Sequence, residues 1–136
     1  MKQIIFSAVI LLVAAGCSCR LPEDELNLTR NRLEHYMQYD AMTQSEMTIL
    51  SEYMLQLANM EKHLIEYRIW NQDGYGKIEK AFMNDCAEWE KLADKEAKKP
   101  SQFEGGSLAP CDHNLRMTGF VQERIDELKN KWLNKK

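Results

Sequence analysis

Thr43-Gln44-Ser45-Glu46 stands directly before apolar residues that recur at three- and four-residue steps: Met47, Leu50, Met54, Leu57, then Leu64 and Ile65. The Thr hydroxyl and the Glu carboxylate can each satisfy a backbone N–H that the first turn of a helix leaves without a partner. Steps of three and four bring apolar side chains onto one helix face. The pattern predicts a helix from Thr43 to about Trp70. Nowhere does a run of β-branched residues alternate with polar ones, so no strand is predicted.

The same periodicity divides the rest of the chain. Pro22 is tolerated at a first helical position, and Glu23, Asp24 and Glu25 would face the positive end of the helix dipole. Leu26, Leu33, Tyr36 and Met37 then form the apolar stripe of a first helix. Residues 71–76, Asn-Gln-Asp-Gly-Tyr-Gly, break the second helix, because glycine takes positive φ at little cost. A third helix has Ile78, Phe82, Cys86 (or Asp85), Trp89, Leu92 and Ala93 on one face and stops before Pro100. Residues 100–110 are the least helical part and contain Phe103-Glu104-Gly105-Gly106-Ser107. A last helix carries Leu115, Val121, Ile125, Leu128 and Trp132 and runs into Lys135-Lys136. The expectation is an all-α fold, a small antiparallel bundle of three to four helices with an ordered Gly-Gly-Ser loop before the last helix. The methionines Met42, Met47, Met54 and Met60 are expected to pack in its core.

The first residues read differently. Lys2 is followed by an apolar run from Ile4 to Ala15, broken only by Ser7, and then by small residues. That is the pattern of a secretory signal peptide, and it falls short of the roughly 20 apolar residues a membrane-spanning helix needs. Leu12-Val13-Ala14-Ala15-Gly16-Cys17 resembles a bacterial lipobox, which implies lipidation of Cys17 as the mature N-terminus. Ordinary cleavage near Ala15 or Gly16, giving a periplasmic or secreted protein, is the other reading. With lipid, the chain is placed in the cell envelope, and Ser18 after the cysteine resembles the outer-membrane sorting pattern of Gram-negative cells. The expected division is a signal peptide over 1–16, an N-terminal segment with a first helix over 17–42, and a helical domain over 43–136.

About 120 residues follow the leader, enough for one core. The net charge of −3, which becomes −4 once Lys2 is removed, and the lack of a Lys/Arg cluster argue against nucleic acid as a partner. Of the four cysteines, Cys17, Cys19, Cys86 and Cys111, lipidation of the first leaves an odd number of thiols. Export permits a disulfide, and the expected pair is Cys86 with Cys111. Cys19 is then free, or bonded to Cys17 where no lipid is attached.

Glu104-Gly105-Gly106-Ser107-Leu108-Ala109-Pro110, followed by Phe120-Val121-Gln122-Glu123-Arg124-Ile125-Asp126-Glu127-Leu128, resembles the end of the LprI-type lysozyme inhibitor family. In that family a Gly-Gly-Ser loop precedes a Pro and a helix with an Arg and a Leu at the spacing of Arg124 and Leu128. Thr43-Gln44-Ser45-Glu46-Met47-Thr48 resembles the family's opening block, Ala58, Asn59 and Glu61 its next conserved positions, and Ala81-Phe82 its aromatic pair. The resemblance covers residues 43–128. The chain departs from the family in its cysteines: Leu50 stands where one is usual, and Cys86 and Cys111 are displaced from the second bridge. The resemblance implies a binding protein that inhibits a muramidase, not an enzyme, with the loop Phe103, Glu104, Gly105, Gly106 and Ser107 as the contact surface.

The alternative is a lipid-anchored structural or interaction module of the envelope without inhibitory activity. The loop itself also reads as a plain helix–helix connection that needs positive φ. Cys111-Asp112-His113, with His35 and His63 distant, lacks the second half that a zinc site of known spacing requires, so no metal or other cofactor is expected. Ser107 has no strand-turn-helix setting and no positioned base, which argues against a nucleophile.

Overall fold

The computed structural model describes residues 22–37 and 43–133. The expected leader over 1–16, the lipidation site Cys17, Cys19, Met42 and the tail Lys135-Lys136 lie outside the described residues. The described chain is all-α: α1 spans Pro22–Met37, α2 Gln44–Trp70, α3 Tyr75–Ala97 and α4 Ala109–Lys131. No strand occurs among the described residues.

Local chemistry sets the ends of these helices. At the start of α2 the Glu46 N–H donates to the Thr43 hydroxyl at 3.3 Å, and the Thr43 N–H donates to the Glu46 carboxylate at 2.6 Å, closing the capping box. That cap is worth about 1 kcal/mol. Gly74, at φ +81°, turns the chain from α2 into α3 in a left-handed conformation that residues with a Cβ resist.

The core is built from Ala58, Ile65 and Ile69 of α2, Phe82 of α3, and Val121, Ile125 and Leu128 of α4. Phe82 is fully buried, with the Tyr75 and Trp132 rings edge-on at 6.1 and 5.5 Å. Burial of such a ring contributes about 3 kcal/mol. Antiparallel packing holds for α1 on α2 and for α3 on α4. Glu23 meets Arg68 while Thr29 meets Met60, and Trp89 stacks on Phe120 while Asp85 meets Lys131. Helices α2 and α4, by contrast, run parallel: Gln44 meets Ser107, Ser51 meets Asn114 and Glu61 meets Lys129. An up-down-up path through three helices makes the first and third parallel. Small inward residues (Ser51, Ala58 and Thr118) let these two backbones approach most closely.

The bundle therefore has two poles. One holds the start of α1, the α2–α3 turn and the end of α4, where the Gln72 amide donates to the Trp132 carbonyl at 2.9 Å. The other holds the start of α2, the end of α3, the 98–108 loop and the start of α4.

Three expected core positions are surface positions. Met37 ends α1 and is exposed, Leu92 is exposed on α3, and Leu115 is 46% exposed. Inward positions on α4 fall at Thr118, Val121, Ile125 and Leu128, and one turn back from Thr118 the polar Asn114 takes the place beside Ser51. Met47, Met54 and Met60 are half-buried.

Candidate functional site

The loop between α3 and α4 is held from below by two side chains of α4. Asp112 accepts from the Ser101 hydroxyl at 2.6 Å and from the Gln102 amide at 3.2 Å. The Ser101 hydroxyl in turn accepts from the Phe103 N–H at 3.0 Å. The hydrogen bond from Ser101 holds the Asp112 carboxyl below the usual carboxylate range, with Gln102 and the Arg116 charge adding to it against slight burial. Arg116 donates to the carbonyls of Lys99 at 2.9 Å and Pro100 at 3.2 Å, groups that the end of α3 would otherwise leave to water.

Above this base the backbone turns tightly. The Glu104 N–H donates to the Ser101 carbonyl, the Gly106 N–H to Phe103 at 2.8 Å, and the Ala109 N–H to Gly106. Gly105 sits at φ +78°, and a Cβ on Gly106 would meet the Phe103 carbonyl oxygen at 3.1 Å. The two glycines thus answer two separate demands, a left-handed backbone and a close approach. Ser107 donates its hydroxyl to the Gln44 side-chain oxygen at 2.6 Å, tying the far side of the loop to the start of α2. What remains outward is Phe103, 43% exposed, with Glu104, Gly105, Gly106 and Ser107 beside it. All five loop residues singled out in the sequence are brought together on one exposed turn.

The expected Cys86–Cys111 bridge is not formed; both residues are free thiols. Cys111 lies at the loop pole, its Sγ 3.7 Å from the Met47 carbonyl, whereas Cys86 lies 3.7 Å from Arg124. Thirteen residues of α4 separate Cys111 from Arg124, a rise of about 20 Å, and a disulfide needs Cα atoms within roughly 7 Å. Burial and the Glu66 charge push the Cys86 thiol up to about 11, against the pull of Arg124, so it stays protonated.

A second polar cluster was not recognised from the sequence. Arg124, with its side chain 1% exposed, donates to Asp85 at 2.7 Å and to Glu127 at 2.8 Å. Asp85 also takes Lys131 at 2.6 Å and the Trp132 indole N–H at 3.1 Å. Burial would raise the Asp85 carboxyl, but the Lys131 and Arg124 hydrogen bonds and charges outweigh it and lower its pKa. Nearby Lys62, also buried, pairs with Glu66 at 2.9 Å and lies over the Trp89 ring at 4.9 Å. The signal was available: Arg124 interrupts an apolar stripe at an inward position, and a buried charge requires a partner. This cluster locks α3 to α4 and lies well away from the loop.

Cys111, Asp112 and His113 occupy the first turn of α4, and Asp112 is engaged by the loop. Among the described residues no three His, Cys, Asp or Glu side chains are grouped as metal ligands. His63 pairs with Glu66 at 3.2 Å on α2, and His35 borders a groove with Leu28, Asn31, Arg32 and Tyr53. No helix among the described residues is long and apolar enough to cross a membrane. Compared with known proteins, the chain matches no family model, no curated protein and no solved structure.

Proposed function

We propose that this protein is an exported envelope lipoprotein that binds a protein partner through the 103–107 loop, as the LprI-type lysozyme inhibitors it resembles do. The partner is a muramidase, and the protein acts by occupying its cleft, not by catalysis. The observation that carries this reading is the loop's construction. Asp112, Arg116 and Gln44 fix its base while Phe103, Glu104, Gly105 and Gly106 stay outward. A turn held in one shape loses little conformational entropy on binding. An exposed aromatic ring flanked by glycines supplies an anchor that a cleft can surround.

The position of the loop is consistent with an anchored protein. Pro22 begins α1 at the opposite pole, where Glu23 pairs with Arg68. Cys17, five residues earlier, is at most about 18 Å of chain from it. A lipid on Cys17 would leave the loop free at the far end.

A second reading has its own observation. Ile49, Leu92 and Leu115 are exposed in the loop half of the bundle, which suits an anchored interaction module that meets a partner through a helix face. A cell-wall lysis assay with a panel of muramidases separates the two. Inhibition that saturates with added protein and is lost in Phe103→Ala is the expected result. An unchanged lysis rate at saturating protein throughout the panel leaves the interaction module.

A further inference from the structure

The pole opposite the loop is aromatic. Tyr67, Trp70, Tyr75 and Trp132 gather there, including two of the chain's three tryptophans. Tyr67 is 57% exposed on the outer side of α2, one turn from its end. Trp70, Tyr75, Trp132 and Leu133 lie only partly buried against the core. Trp132 is fixed in place by its indole bond to Asp85 and by the Phe82 ring, with the Lys131 ammonium over its face at 4.9 Å. Tyr67 has the apolar body and polar tip that prefer the boundary between hydrocarbon and water, while Trp70, whose Nε1 is buried, and Trp132, whose Nε1 is bonded to Asp85, add apolar ring surface beside it. Pro22 starts α1 at this same pole, so the chain that precedes it connects to the bundle here.

We propose that this aromatic pole seats on a lipid bilayer at headgroup depth and holds the bundle upright. Helix α2 has 27 residues, so the loop then stands about 40 Å from the lipid surface. Charges of both signs meet at the pole: Arg68, Lys77 and Lys131 against Glu23, Asp24, Glu25 and Asp73. Net attraction to anionic lipid therefore contributes little, and aromatic and apolar contact carries the seating. Lipid on Cys17 would hold the chain at the surface but leave its orientation there open. Seating also restricts tumbling about the anchor and keeps the loop turned outward. The envelope reading supplies only the membrane's location. The assay below supplies its own lipid and needs no muramidase, so it fails or succeeds independently of the loop's partner.

The test uses the mature full chain purified from its own cells and mixed with phosphatidylcholine vesicles whose acyl chains are brominated, which quench tryptophan on contact. The expected result is quenching beyond that in unbrominated vesicles, with at least half of it lost in Trp70→Phe and most retained in Trp89→Phe. Tyr67→Asp changes an exposed residue and leaves helix content intact; it is expected to reduce the quenching several-fold, while Phe103→Asp at the far pole leaves it unchanged. The quenching should persist at high salt, where surface charge attraction is screened. Absence of quenching, equal loss in Trp89→Phe or Phe103→Asp, or its disappearance at high salt would overturn the proposal.

Discussion

Arg124 carries a guanidinium into a position on α4 that its neighbours Val121, Ile125 and Leu128 fill with apolar side chains. Withdrawing that charge from water costs several kcal/mol. Asp85, Glu127 and the Trp89 face, 5.8 Å away, offset the cost, although the Nε of Arg124 has no hydrogen-bond partner. The pair is best regarded as a specificity device, since only one alignment of α3 on α4 brings Asp85 under Arg124. Arg124→Ala leaves Asp85 in a half-buried site with only Lys131 and the Trp132 indole N–H, and opens a cavity. Urea unfolding should give a loss of about 3 kcal/mol or more, and Arg124→Met, which fills the space, should lose less.

Paired carboxylates set the acid limit. The Asp85 and Glu66 pKa values are both lowered in the fold, Glu66 because the His63 and Lys62 contacts outweigh its burial. Their stabilisation is complete above the ordinary carboxylate range and is lost as pH falls through their lowered values. A melting-temperature series should therefore stay flat from neutral pH to about the ordinary Asp and Glu values near 4 and drop below them. Arg124→Met should reduce, without abolishing, the part of that drop due to Asp85, because Lys131 still holds the carboxylate.

At the scale of elements, the loop is shaped by α4, and Asp112 is the residue to remove. Asp112→Ala releases Ser101 and Gln102 and with them the Phe103 N–H contact, while the helices keep their own hydrogen bonds. Helix content by circular dichroism should be unchanged, and muramidase inhibition should fall about tenfold for each 1.4 kcal/mol of ordering that binding must then supply. Asp112→Asn, which can still accept from Ser101, should fall less. The four helices were legible in the sequence because their signals are local. The Thr43–Glu46 box, the break at Gly74 and the stop before Pro100 each depend on a few neighbouring residues. The Gly105-Gly106 turn was legible for the same reason. What was illegible depended on three-dimensional level. The Cys86–Cys111 pairing had a reasonable spacing in sequence but places the two thiols at different heights on the bundle. Asp85 and Cys86 are adjacent, and only the packed helix settles that both reach Arg124, with Asp85 as its ion partner. Leu115 matched the three-four rhythm, yet the helix face turned Asn114 inward instead.

Across the whole molecule the two ends differ in kind. The pole at the α2–α3 turn has the apolar core and the aromatic rings, while the loop pole is joined by polar bonds among Ser51, Asn114 and Thr118 and by the ties of Asp112 and Arg116. Ile49, Leu92, Phe103 and Leu115 are exposed in the loop half, where the interior is polar, and Tyr67 and Met83 in the turn half. The apolar core thus lies toward one end and the polar-tied, exposed loop at the other, where binding surfaces on a rigid scaffold are usually placed.

The most direct test of that division is hydrogen exchange of the full chain with and without a saturating muramidase. Slowed exchange is expected at the amides of residues 101–108 and the first turns of α2 and α4, with the 71–76 turn and the end of α4 unchanged. Protection at the turn pole instead, or none anywhere while the muramidase is bound, would contradict it.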